Sequence, residues 1–100
     1  MAFNKYSEGD ICHMSLVGDI KIYDSVSYKQ EMFSGLDQFR GVKLDLSQIE
    51  EIDASGFQLL ILLKKETQDK GMSFQIDGLS SSVMRLMEIY RLNDWFQSQN

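Results

Sequence analysis

The middle of the chain does most to restrict its fold. Val42, Leu44 and Leu46 alternate with Lys43 and Asp45, a period-two run bounded by Gly41 and Ser47. Phe57, Leu59, Leu60, Ile61, Leu62 and Leu63 follow as a dense apolar run that continues into the polar stretch Lys64 to Lys70 and halts at Gly71. Met72, Phe74 and Ile76 then alternate again with Ser73, Gln75 and Asp77. This is a strand, a helix over 57–70 and a strand. Two strands joined through a helix favour parallel pairing, because a parallel neighbour needs a crossover, and that crossover is expected to be right-handed. The helix is apolar on more than one face in its first half, so that half is expected to be buried. Its polar second half is expected to emerge from the core.

The flanking segments extend the pattern. Phe3 to Tyr6 reads as a short edge strand. Ile11 to Val17 reads as a second strand, set between Gly9-Asp10 and Gly18-Asp19. Val26, Met32, Phe33, Leu36 and Phe39 predict a helix over 26–39 behind Asp24-Ser25 as caps, with Gly35 weakening its end. Ser80 to Ser82 can cap a helix bearing Val83, Leu86, Met87 and Tyr90, with Met84 off that stripe and expected at the surface. Leu92, Trp95 and Phe96 suggest a last short helix. The order is β-β-α-β-α-β-α-α, an α/β protein with a mainly parallel or mixed sheet.

Size and charge exclude several functions. One hundred residues fit a single domain, taken here as 1–100. Net charge is −5 and no basic cluster exceeds Lys64-Lys65, so a direct nucleic-acid surface is not expected. The longest apolar run, Leu59 to Leu63, is too short to insert into a bilayer, and MAFNKYSEGD lacks the apolar core of a signal peptide. The single cysteine, Cys12, cannot form an internal disulfide, which fits a cytoplasmic location. His13 is the one histidine, lies inside a strand and has no partner at metal-ligand spacing. No Gly-x-Ser-x-Gly elbow, phosphate-cradling loop or dinucleotide fingerprint is present. No catalytic residue, cofactor or metal is therefore expected. Asp45, Glu50, Glu51 and Asp53 form an acidic stretch that suits a solvated surface, a docking face for a basic partner or, least well, a divalent ion.

Asp53-Ala54-Ser55-Gly56 joins the central strand to its helix. Ser55 therefore sits at or beside a helix N-terminus, where free N–H groups and partial positive charge accept an added anion. Asp53 can cap that helix, and glycine permits a tight strand-to-helix turn. A cap and a phosphate switch both remain open for Ser55, and on local physics alone the cap is favoured.

The run Val42-Lys-Leu-Asp-Leu-Ser-Gln-Ile-Glu-Glu-Ile-Asp-Ala-Ser-Gly-Phe-Gln-Leu-Leu resembles the signature of the STAS family of bacterial anti-sigma factor antagonists. Leu16-Val-Gly-Asp-Ile resembles that family's Gly-Glu-Leu segment, and Ser81-Ser-Val-Met-Arg-Leu-Met-Glu-Ile-Tyr-Arg-Leu its closing helix. The resemblance covers about residues 9–96. It implies a STAS fold, a mixed sheet of four to five strands flanked by about four helices. It also implies partner switching in transcription regulation. The unphosphorylated form binds an anti-sigma factor, often a GHKL-type serine kinase, which phosphorylates the serine before the motif glycine, and a PP2C-type phosphatase reverses this. That serine is Ser55, the phosphorylation site. Asp53, Ala54, Ser55, Gly56, Phe57 and Asp19 are the implied partner contacts. Two departures stand out: Ala54 replaces the motif's first serine, and Lys21 stands where an aspartate is common. Glu50, Glu51 and Asp53 are expected to lie near the phosphate and repel it. The alternatives are an accessory subunit of a phospholipid ABC transporter or a scaffold subunit of a signalling assembly.

Overall fold

Period-two runs become a sheet and period-3.6 runs cover one side of it. The computed structural model describes residues 2–98. Its elements are β1 (Ala2–Glu8), β2 (Ile11–Ile20), α1 (Ile22–Phe33), a 3-10 turn (Leu36–Gln38), β3 (Gly41–Ile52), α2 (Ala54–Asp69), β4 (Ser73–Leu79), α3 (Ser81–Ile89) and α4 (Asn93–Gln97). The sheet order is β1-β2-β3-β4. β1 and β2 pair antiparallel, whereas β2/β3 and β3/β4 pair parallel. The result is the mixed α/β sheet and the element order expected from the sequence.

Alternation sorts the two faces. Cys12, Met14 and Leu16 of β2, Val42, Leu44 and Leu46 of β3, and Phe74 of β4 are buried under the helices. Tyr6, His13, Lys43 and Gln75 form a row on the opposite face, where Tyr6 stacks on His13 at 4.7 Å. Burial pushes the Cys12 thiol pKa up, with Lys5 opposing weakly.

Some elements differ from the sequence reading. α1 starts four residues before Val26, because Asp24 accepts from the Lys21 N–H at 3.0 Å and fixes an earlier first turn. It ends at Phe33, and Gly35 follows with φ +68, a left-handed conformation that no helix continues through. Val26 is 76% exposed, so the core stripe of this region is Met32 with Leu36 of the 3-10 turn. Lys5 of β1 closes the other end of α1, donating to the carbonyls of Glu31 and Ser34 at 2.8 and 2.6 Å. β3 also runs further than Leu46. Past one register shift Gln48 and Ile49 still pair with Val17 and Gly18, and past a second Ile52 pairs with Ile20.

The polar half of α2 emerges from the core on one side only, with Lys65, Asp69 and Lys70 exposed. Lys64 and Thr67 are fully buried. Lys64 Nζ donates to the Ser98 carbonyl at 2.7 Å and lies 4.9 Å from the centre of the Phe74 ring. Burial lowers its pKa. Thr67 satisfies its own hydroxyl by donating to the Lys64 carbonyl at 2.7 Å. Ser98, directly after α4, meets Lys64 in a tertiary contact that local pattern does not encode. The helix does stop at Gly71, φ +69. Ser80 caps α3 by accepting from the Val83 N–H at 3.3 Å, Met84 is exposed, and Phe96 of α4 is buried against Phe57.

Candidate functional site

The start of α2 is built from β2 and β3 together. Ile20, the last residue of β2, accepts from the Asp53 N–H at 3.2 Å, which ties the end of one strand to the exit of the next. Asp53 then caps the helix: its Oδ1 accepts from the Gly56 N–H at 2.8 Å. Asp53 has extended backbone, and Ala54, Ser55 and Gly56 form the first helical turn. Gly56 does not supply a positive φ here. It is required for close approach, because a Cβ at this position would lie 2.6 Å from the Ile20 carbonyl oxygen and 2.7 Å from Ile20 Cγ2.

Asp53 thus fills the capping role that the sequence also left open to Ser55. Among the described residues, the Ser55 hydroxyl makes no hydrogen bond, and the residue is half-buried. It faces a cavity of about 440 Å³ between α1 and α2. Ser55, Gln58, Leu59 and Leu62 line it from α2, a 0, 3, 4, 7 series on one helix face. Val26 and Lys29 line it from α1, and the same α1 face continues through Gln30 and Phe33 into an adjoining hollow. Sequence reading missed this α1 wall. Its signal is the 26, 29, 30, 33 spacing, of which the apolar stripe expected from the sequence includes only Val26 and Phe33.

The expected acidic neighbours divide: Asp53 flanks Ser55 in the same turn, whereas Glu50 and Glu51 do not line its cavity. Glu50, Glu51 and Asp53 line a separate cavity of about 540 Å³, together with Lys21 and Arg85. Glu51 is paired there with Lys21 Nζ at 3.3 Å, and the Glu50 carbonyl accepts from the Ser82 hydroxyl. The expectation that Glu50 and Glu51 crowd a phosphate on Ser55 is corrected: sequence neighbours on β3 open onto another cavity. Asp45 is engaged within its own strand. Its Oδ1 accepts from the Ser47 hydroxyl at 2.7 Å and the Ser47 N–H at 2.9 Å, and these bonds, the hydroxyl first, hold its pKa below the usual carboxylate range.

The remaining candidates separate by burial. Ala54 lines the Ser55 cavity. Phe57 is only 1% exposed, stacked on Tyr90 at 5.4 Å and tilted against Phe96 at 5.6 Å, so its side chain serves the core rather than the open surface. Gly56 is buried as well. Asp19 lies in β2 and lines neither cavity, and its Oδ1 is buried without a hydrogen-bond partner among the described residues. His13 stays with Tyr6 on the far face of the sheet and is not brought to Ser55. Among the described residues, no three His, Cys, Asp or Glu side chains gather as a metal site, and no helix is long and apolar enough to cross a membrane.

Comparison with known proteins gives this geometry a family. The anti-sigma-B factor antagonist of Bacillus subtilis (strain 168) is 23% identical over 90 residues, covering 90% of this chain and 82% of that protein. An anti-sigma factor antagonist from Mycobacterium paratuberculosis shares the fold with a TM-score of 0.81 at 16% identity, over 95% of this chain and 81% of the other. The anti-sigma factor antagonist SpoIIAA in its unphosphorylated form gives 0.75 at 16% identity, over 94% and 84%. The same fold occurs inside Mglu, with a TM-score of 0.69 at 20% identity, where 78% of this chain spans only 20% of the longer protein. A family model described as Mlab, STAS domain, matches residues 4–97, and the chain therefore belongs to the STAS domain family.

Proposed function

We propose that this STAS domain is an anti-sigma factor antagonist working by partner switching. Unphosphorylated, it binds an anti-sigma factor that is also a GHKL-type serine kinase. Phosphorylation at Ser55 releases it, and a PP2C-type phosphatase resets it. One observation carries the reading: among the described residues the Ser55 hydroxyl makes no hydrogen bond, and Asp53 caps the helix in its place. A hydroxyl that is half-buried, unbonded and open to a cavity can be modified without dismantling the fold. Similarity to antagonists, one of them solved in an unphosphorylated form, supports the same reading.

The walls around Ser55 suggest how a phosphate acts. Val26, Ala54, Leu59 and Leu62 make the cavity largely apolar, so a docked partner would leave Ser55 in a dry contact. A phosphate brings about −1.5 to −2 charges. Burying that charge unpaired costs on the order of several kcal/mol, and each ~1.4 kcal/mol is tenfold in affinity. Repulsion by Glu50 and Glu51 is not needed.

Ser55→Asp is expected to weaken binding to the anti-sigma partner at least tenfold by calorimetry, with an unchanged circular dichroism spectrum, while Ser55→Ala binds normally. Equal affinity of the two variants refutes the switch. The matching family model carries the description Mlab and not that of an antagonist, which favours keeping a second reading, the accessory subunit of a phospholipid ABC transporter. Recovery of an ABC ATPase, rather than a GHKL-type kinase, in a pull-down from native extract selects it.

A further inference from the structure

Lys29 has no assigned role, yet it lines the same cavity as Ser55 from the opposite helix. Among the described residues it forms no ion pair; the pairs there join His13 to Glu8, Lys21 to Glu51, Arg40 to Asp10 and Lys70 to Glu66. No acidic side chain lines the cavity. Lys29 is thus the one cation there, and it lies on the α1 face that runs through Val26, Gln30 and Phe33.

We infer that Lys29 receives the phosphate of a modified Ser55 in cis, and that this pair draws α1 and α2 together and closes the groove between them. The inference rests on Ser55 being the modified residue, as proposed above. An ammonium has three donors and a phosphate three acceptor oxygens, so the two can form charge-assisted hydrogen bonds across the opening. A lysine stem also keeps its methylenes on the apolar wall beside Val26 while its head reaches outward. Phosphorylation then has two effects at once. It adds charge to the docking surface, and it removes the surface by folding one wall onto the other. The Val26 and Leu62 side chains that a partner would cover become covered from within.

The test needs neither kinase nor partner. Phosphoserine is installed at position 55 during translation, in the parent chain and in the Lys29→Gln and Lys29→Arg variants, and each phosphate is titrated by ³¹P NMR. Lys29 of α1 is the charged side chain that lines the cavity, Asp53 flanks Ser55 with its carboxylate directed to the Gly56 N–H, and the other charged groups of the two helices, Asp24 and Glu31 of α1 and Lys64, Lys65, Glu66 and Asp69 of α2, lie outside the lining. Pairing with Lys29 lowers the phosphate midpoint by roughly half a pH unit relative to Lys29→Gln, a size in keeping with an exposed pair, and Lys29→Arg retains the lowered value. Amide exchange along residues 26–33 slows on phosphorylation in the parent and not in Lys29→Gln. Equal midpoints in the parent and Lys29→Gln overturn the pairing. A lowered midpoint without slower exchange overturns the closure. A cognate kinase that leaves Ser55 unmodified would refute the switch and leave this titration intact, so the two failures are distinguishable.

Discussion

At the scale of single residues, the four-residue turn before α2 divides its labour sharply. Asp53 supplies the cap, Gly56 supplies the absence of a side chain, and Ser55 is left with nothing to hold. Gly56→Ala forces a methyl group into the Ile20 carbonyl, which is backbone and cannot swing aside. It is expected to cost about 1–3 kcal/mol, read as a lower urea midpoint at unchanged slope. The residue types here were legible in the sequence, and so was Asp53 as a cap. The reason for Gly56 was not. A tight turn and a close approach both ask for glycine, and only the position of β2 distinguishes them. Phe57 was expected in the buried half of the helix, but its ring partners Tyr90 and Phe96 were not legible, because they are distant in sequence.

At the scale of elements, the sequence named every helix and strand in the right order but misplaced edges. α1 was shifted because Val26 was read as core, although it faces the groove. β3 was cut short because Ser47-Gln48 and Glu50-Glu51 interrupt the alternation while the backbone pairing with β2 continues. The polar half of α2 was expected in solvent because nothing local announces that Ser98 will cross over Lys64. That buried lysine gives a pH prediction. Its folded-state pKa is depressed, so the folded state disfavours the charged form, and stability rises with pH between the lowered pKa and the ordinary lysine value of about 10.4. Lys64→Met keeps the stem against Phe74 and removes the buried charge. It is expected to raise stability near neutral pH by on the order of 1 kcal/mol and to flatten the rise above it. Denaturation midpoints of both chains, taken from pH 7 to 10, check this; a Lys64→Met chain that is less stable throughout would assign the lysine to holding α4 in place.

At the scale of the whole molecule, one sheet separates two surfaces. The helical side carries the Ser55 groove, and the bare side carries the polar row from Tyr6 to Gln75. The covered side also encloses Cys12, fully buried in β2 with its thiol pKa raised. A thiolate is the reactive form, so this sulfur is protected twice, by lack of access and by protonation. The thiol of the native chain is therefore silent to oxidants and alkylating reagents, and its chemistry is postponed until the sheet opens. Labelling of Cys12 by a thiol reagent is expected to accelerate with urea in step with global unfolding, whereas a rate indifferent to urea would reveal local opening of β2. Buried one strand away from the chain's edge, a single sulfur atom serves as a clock that starts only when the fold is lost.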